Sequence, residues 1–204
     1  MNSFSLSRRP ESVCPAEVRG ADGQAYPVNA DFRTVLRCLR MLDDPDEKES
    51  RKMLFVCRWF YPEGAPPDGM EQFLAFVRGG DEAQESGEPP VMDFEIDAPE
   101  IYASFLQRYG IDLLRDDLHW NAFRALLCGL GPDTALGRKI ETRTMDTSGM
   151  NGKAKAEAEK RKRAVALPVR VSALDREWSE RVALALMRGE DVAELMRGHE
   201  ESFF

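Results

Sequence analysis

The sequence is poor in the residues that most often hold metals. It has two histidines, His119 and His199, and four cysteines at positions 14, 38, 57 and 128, with no CxxC pair among them. A zinc or non-haem iron site asks for two or more His or Cys ligands at defined spacing, so no metal ligand set is predicted. The acidic "RDDLH" before Trp120 does not change this, because Asp116 and Asp117 lie where a helix start favours negative charge anyway. No run approaches the ~18 consecutive apolar residues of a membrane-spanning helix, which predicts no membrane association. A signal peptide is also missing from "MNSFSLSRRPES", so reduced thiols and a cytoplasmic location are expected.

Catalytic motifs are equally scarce. There is no GxSxG, and His119 precedes Cys128 by nine residues on one apolar segment, which argues no nucleophile–base pair. "GLGPDTALGRK" resembles a phosphate loop only superficially: the gap from Gly131 to Gly137 is one residue too long and Arg138 stands where lysine belongs. No catalytic residue and no cofactor are therefore expected. The net charge of −8 also argues against nucleic-acid binding through overall charge.

What is present is helical periodicity, in a chain of 204 residues that suits one domain with appendages. Residues 1–15 read as a flexible N-terminus. Ala16–Arg19 and Gln24–Val28 alternate around Gly20–Gly23 and predict a β-hairpin, with Pro27 confining the second run to an edge. Asn29 is placed to cap a helix carrying Phe32, Val35, Leu36, Leu39 and Leu42. A second helix is expected from about Asp46 to Phe60, with Met53, Val56, Cys57 and Phe60 inward. A third covers "MEQFLAFVRG".

An acidic loop is expected at 80–91. In "DFEIDAPEIYASFLQRYGIDL", Asp97 followed by Glu100 is a capping-box pattern. Ile101, Tyr102, Phe105, Leu106 and Tyr109 fall at helical spacing, and Gly110 supplies the stop. Leu118–Leu130 is apolar on more than one face, the mark of a buried helix, with Asp116 or Asp117 as its cap. His119 reads as a partly buried structural histidine. Arg124, inside that segment, needs a carboxylate or a route to water, and Glu95, Asp97 and Glu141 are candidates.

The charge is uneven. Eight acidic and no basic residues lie between Gly79 and Gln107, whereas six basic residues face two acidic ones between Lys153 and Arg163. The latter helix, with Lys160, Arg161 and Arg163, admits three readings: a solvated face supported by Glu157–Arg161, a dock for an acidic partner, or nonspecific phosphate contact. Beyond Pro168, Leu174, Trp178, Val182 and Leu186 recur every fourth residue. That stripe either folds back on the body or contacts a partner.

Two stretches, DFExDAxxIYAxFLxxYGIDL and LHWxxFRALLxGL, together with "YPVNADFRTVLRCLRMLDD", "GRKIETRTMDTS" and a basic helix ending in "ALP", resemble the bacteriophage gene product fifteen family over about residues 18–168. Matched positions are Asp93, Phe94, Asp97, Tyr102, Phe105, Tyr109, Gly110, Leu118, His119, Trp120, Phe123, Arg124 and Met145–Asp146, which read as fold-defining. The resemblance implies a mainly α protein encoded among phage tail genes beside the tape-measure protein, with no catalytic residues to carry over. It implies a tail-assembly chaperone, working in the host cytoplasm, with the tape-measure protein or other tail proteins as partners and self-association open. A minor tail or connector component is the alternative. The expected organisation is a helical domain over 16–168 with a small N-terminal β-hairpin, followed by a helical extension over 169–204.

Overall fold

The computed structural model describes residues 9–79, 90–168 and 172–188, without the side chains of residues 10, 12 and 186. The acidic loop expected at 80–91 therefore lies almost wholly outside the described residues, as does His199. The chain is mainly α. A short helix α1 (Pro10–Val13) precedes an antiparallel hairpin of β1 (Glu17–Arg19) and β2 (Ala25–Pro27). Val18 faces Tyr26 in the register, and Gly23 turns the loop with a φ of 78°.

There follow α2 (Phe32–Leu42), α3 (Glu49–Phe60), α4 (Gly69–Arg78), α5 (Ala98–Tyr109), α6 (Trp120–Cys128), α7 (Ala135–Thr144), α8 (Gly152–Ala164) and α9 (Ala173–Arg188). The chain divides into two compact units. One comprises residues 1–42 and 48–168; the other comprises residues 43–47 and 169–204. In the smaller unit, Ser172 starts α9 by accepting from Asp175 N at 3.0 Å, and Asp46 accepts from Ala173 N at 2.7 Å. Both satisfy amides that a helix start leaves without intrahelical partners.

In the larger unit, α2 begins one residue after Asp31. The carboxylate of Asp31, rather than Asn29, accepts from Arg33 N, at 2.8 Å. Asn29 acts one step earlier, accepting from Asp31 N at 3.4 Å. Helix α2 buries Phe32, Val35 and Cys38, and burial pushes the Cys38 thiol up to about 12, so it packs as an inert hydrophobe.

The core centres on α6. Phe123 stacks on Phe32 of α2 with ring centroids 4.7 Å apart and on Phe105 of α5 at 5.2 Å. It also meets Trp120 at 5.8 Å and Phe94 at 6.3 Å. The indole N–H of Trp120 donates to the Val77 carbonyl of α4 at 3.0 Å, so the one polar atom of a buried ring is satisfied. A second aromatic group, Phe60 with Tyr61, Phe73 and Phe76, joins α3 to α4.

Helix α3 departs from the sequence reading. It starts at Glu49, three residues later than expected, and its inward stripe is Lys52, Val56 and Phe60. Met53, expected inward, is half exposed. The phase follows Phe60, whose ring is locked among three aromatics and leaves Met53 on the flank.

Truncating Phe123 to alanine would remove the ring on which α2, α5 and α6 converge. A loss of about 3–5 kcal/mol is expected, measured by urea unfolding. A Leu106→Ala control, at a 45% exposed position of α5, should cost far less.

Candidate functional site

The segment with the most chemistry per residue is the approach to α6, and its polar groups are occupied with structure. Ala30–Phe32 and Leu118–Trp120 run antiparallel, with Trp120 N donating to Ala30 O at 2.8 Å and Phe32 N to Leu118 O at 3.0 Å. This bridge holds the N-termini of α2 and α6 side by side. His119, not Asp116 or Asp117, caps α6: its Nδ1 accepts from Asn121 N at 3.0 Å. The ring proton is therefore on Nε2, which donates to Pro15 O at 3.1 Å. Asn121 adds a bond from Nδ2 to Val13 O at 2.7 Å, so residues 13–15, read from sequence as part of a flexible terminus, are tied to α6. Asp116 and Asp117 are instead drawn elsewhere, Asp116 to Asp112 N at 2.8 Å and Asp117 to Arg33 at 3.6 Å.

An open cleft of about 610 Å³ lies beside this bridge, lined by Asn29, Asp31, Arg33, Thr34, Asp117 and His119 among others. Its cation is already engaged. Arg33 pairs with Asp31 at 3.0 Å and donates to the carbonyls of Leu113 and Asp116 at 2.9 and 2.8 Å. Among the described residues no three His, Cys, Asp or Glu side chains gather so as to hold a metal ion.

The second polar centre is buried. Asp97 is fully enclosed and receives Arg143 through both oxygens, at 2.8 and 2.9 Å. Lys139 forms ion pairs with Asp97 and with Glu100, each at 2.9 Å. The expected capping box is absent, because the Asp97 side chain makes no cap bond to α5. It turns inward to Arg143 and to Asp93 N at 3.0 Å. Arg143 also donates to Val91 O at 2.6 Å and Val165 O at 2.7 Å, joining the start of α5 to the end of α8. These cations and the hydrogen bonds outweigh desolvation and hold the Asp97 carboxyl well below the usual carboxylate range. Sequence reasoning offered Asp97 as a partner for Arg124. The guanidinium that fills both Asp97 oxygens comes from Arg143, a residue not singled out beforehand, while Arg124 is half-buried on α6. Arg143 gave no local signal, since only packing brings it to a carboxylate 46 residues away.

The remaining fold-defining candidates surround these centres. Phe105, Trp120 and Phe123 are buried; Phe94, Tyr102, Tyr109 and Leu118 are half-buried against the core. Tyr109 donates to Leu126 O at 2.8 Å, tying α5 to α6. The glycine-rich turn is closed by its own threonine: the Thr134 hydroxyl accepts from Gly137 N at 3.1 Å and donates to Gly131 O at 2.8 Å. A Cβ on Gly137 would collide with the Gly131 carbonyl.

The candidate partner residues sit on two helices. On α8, Lys160, Arg161 and Arg163 are exposed; Arg161 pairs with Glu157 at 3.3 Å, as their spacing predicted, and Arg163 with Glu159 at 3.7 Å. On α9, Leu174 is exposed while Trp178 and Val182 are half-buried, with Arg181 over the Trp178 ring at 5.6 Å. The Leu186 side chain lies outside the described residues. Among the described residues no helix is long and apolar enough to cross a membrane.

Two outcomes are expected of these centres. Arg143→Ala, which leaves Asp97 charged and enclosed, should cost about 3–5 kcal/mol by urea unfolding. Burial lowers the His119 pKa, so the unfolded chain binds the proton more readily. The stability this contributes is complete above the ordinary value of about 6.5 and declines as pH falls through it toward the lowered folded value. His119→Asn keeps an N-cap acceptor without a titrating ring. It should shrink the stability difference between about pH 7 and pH 5, and an undiminished slope would contradict this account of His119.

Neither a curated protein nor a solved structure matches the chain. A family model described as Bacteriophage Gp15 protein matches residues 18–167, a span that holds the aromatic core, the His119 cap and the Asp97–Arg143 pair, and the chain belongs to that family.

Proposed function

We propose that this phage-family protein is a non-catalytic tail-assembly chaperone that acts in the cytoplasm of the bacterial host. It would hold the tape-measure protein soluble before the tail tube encloses it. The observation that carries the reading is the contrast between interior and surface. Inside, Asp97, His119 and Tyr61 have structural hydrogen-bond partners, whereas large apolar side chains remain exposed on helices. Leu54 is 67% exposed, Leu174 73% and Met187 87%.

A tape-measure protein is a long, largely helical chain with apolar faces that would aggregate before enclosure. Exposed apolar side chains on rigid helices suit helix-in-groove contact with such a chain. The net charge of −8 would keep the complex in solution. Nucleic acid is a poor candidate partner, since α8 contains no aromatic residue to stack on bases.

Co-expression with the neighbouring tape-measure gene tests the proposal. The tape-measure product should move from the insoluble to the soluble fraction and co-purify with this protein. An unchanged insoluble fraction would count against chaperoning. Recovery of the protein at stoichiometric amounts in purified phage particles would favour a minor tail or connector component.

A further inference from the structure

Helix α3 carries more large apolar side chains than its buried stripe uses. Lys52, Val56 and Phe60 face inward, one every fourth residue. Met53, Leu54 and Trp59 nevertheless stand 52%, 67% and 42% exposed. Phe55 is half-buried and stacks on Trp59 with centroids 5.2 Å apart. At roughly 100° per residue, Leu54 and Arg58 mark the pole facing away from the core. Met53 then lies on one flank, Phe55 and Trp59 on the other. Among the described residues nothing covers this cluster of large apolar side chains, and exposed apolar groups gathered on one helix face mark an interaction surface.

Charge indicates what covers the rest. In a chain of net charge −8, α2 (FRTVLRCLRML) has three arginines and no carboxylate, and α3 (ESRKMLFVCRWF) has two arginines and a lysine against one glutamate. Glu49 is taken by Lys52 at 2.9 Å, Arg33 by Asp31, and Arg40 by Glu95 at 3.4 Å. Among the described residues no carboxylate pairs with Arg37 or Arg58, and the Arg37 guanidinium lies over the Trp59 ring at 5.5 Å. A second copy presenting the same face would bring like charges together, which opposes isologous pairing here. A tryptophan beside an arginine, on a surface with aliphatic neighbours, is the composition of a binding hot spot.

We infer that the outer face of α3, edged by Arg37, docks an amphipathic helix of a partner protein whose apolar stripe is flanked by carboxylates. This deepens the proposed function by naming the contact surface and the chemistry of the segment it receives. The aliphatic side chains Met53 and Leu54 would supply burial, and Arg58 and Arg37 would select the acidic flanks.

The probe is a labelled synthetic helical peptide with leucines at i, i+3, i+4 and i+7 and glutamates on either side of that stripe. Its comparison peptide keeps the leucines and replaces glutamate by lysine. Binding to the full-length protein is read by fluorescence anisotropy. The glutamate peptide should bind about tenfold or more tightly than the lysine peptide, and added salt should narrow the gap. Leu54→Lys and Arg58→Glu, both at exposed positions, should each weaken glutamate-peptide binding about tenfold while leaving the thermal midpoint in place. Should either variant fold poorly, Leu54→Ser serves as the milder change with the same expected direction.

Equal binding of the two peptides, binding of neither, or indifference to Leu54→Lys would overturn the inference. So would binding that survives Leu54→Lys but is lost when residues 169–204 are removed. Co-expression separates this inference from the reading beneath it. If wild type and Leu54→Lys solubilise the tape-measure product alike, the α3 surface is wrong and chaperoning stands. If wild type fails to solubilise it while the glutamate peptide still binds through Leu54, the surface stands and the tape-measure reading falls.

Discussion

The larger unit is organised by a single aromatic ring. Phe123 lies against Phe32, Phe94, Phe105 and Trp120, side chains supplied by α2, the approach to α5, α5 and α6 itself. Stacked rings bury much area and prefer particular offsets, so they fix both the distance and the rotation of the helices that carry them. The Asp31–His119 bridge performs the complementary task for the backbone, setting the starts of α2 and α6 in register. Together these contacts determine which residues of every neighbouring helix turn inward.

Beside that apolar centre lies a buried carboxylate, Asp97, with both oxygens paired. Arg143 joins Asp97 and the carbonyls of Val91 and Val165, so one guanidinium ties three separate stretches of chain. A buried ion pair of this kind adds little net stability compared with apolar packing, but it is sensitive to the loss of either partner. Its value here is positional. Arginine offers several donors in a fixed plane, and the arrangement leaves few alternative ways to place α7 against the start of α5. His119 follows the same pattern, with one ring nitrogen spent on a helix cap and the other on the segment before β1.

That economy gives the functional reading its direction. The side chains which could in principle perform acid–base chemistry near α6 are engaged in holding the fold. Among the exposed features are the apolar Met53, Leu54 and Trp59 on α3 and the basic side chains of α8. The proposed reading, binding by apolar contact with charge selection, draws on those exposed groups. Membership of the bacteriophage family places the protein in phage biology, and the proposed partner is one whose helices need covering.

Much of the fold was legible in the sequence because it depends on local rules. The hairpin at 17–27 follows from alternation and a glycine turn, the end of α5 from Gly110, whose φ of 70° favours glycine, and the buried character of Trp120 and Phe123 from an apolar segment. Those signals need no knowledge of the rest of the chain. What the tertiary structure alone decided was partnership and phase. Asp97 satisfies the local pattern of a cap, yet a guanidinium 46 residues away outcompetes the helix amides for its oxygens. The periodicity of α3 admits more than one inward stripe, and the aromatic ring of Phe60, locked among its neighbours, selects the one that leaves Met53 and Leu54 outside. Local propensity sets where helices form, whereas long-range contacts set which way they face and which charges they answer.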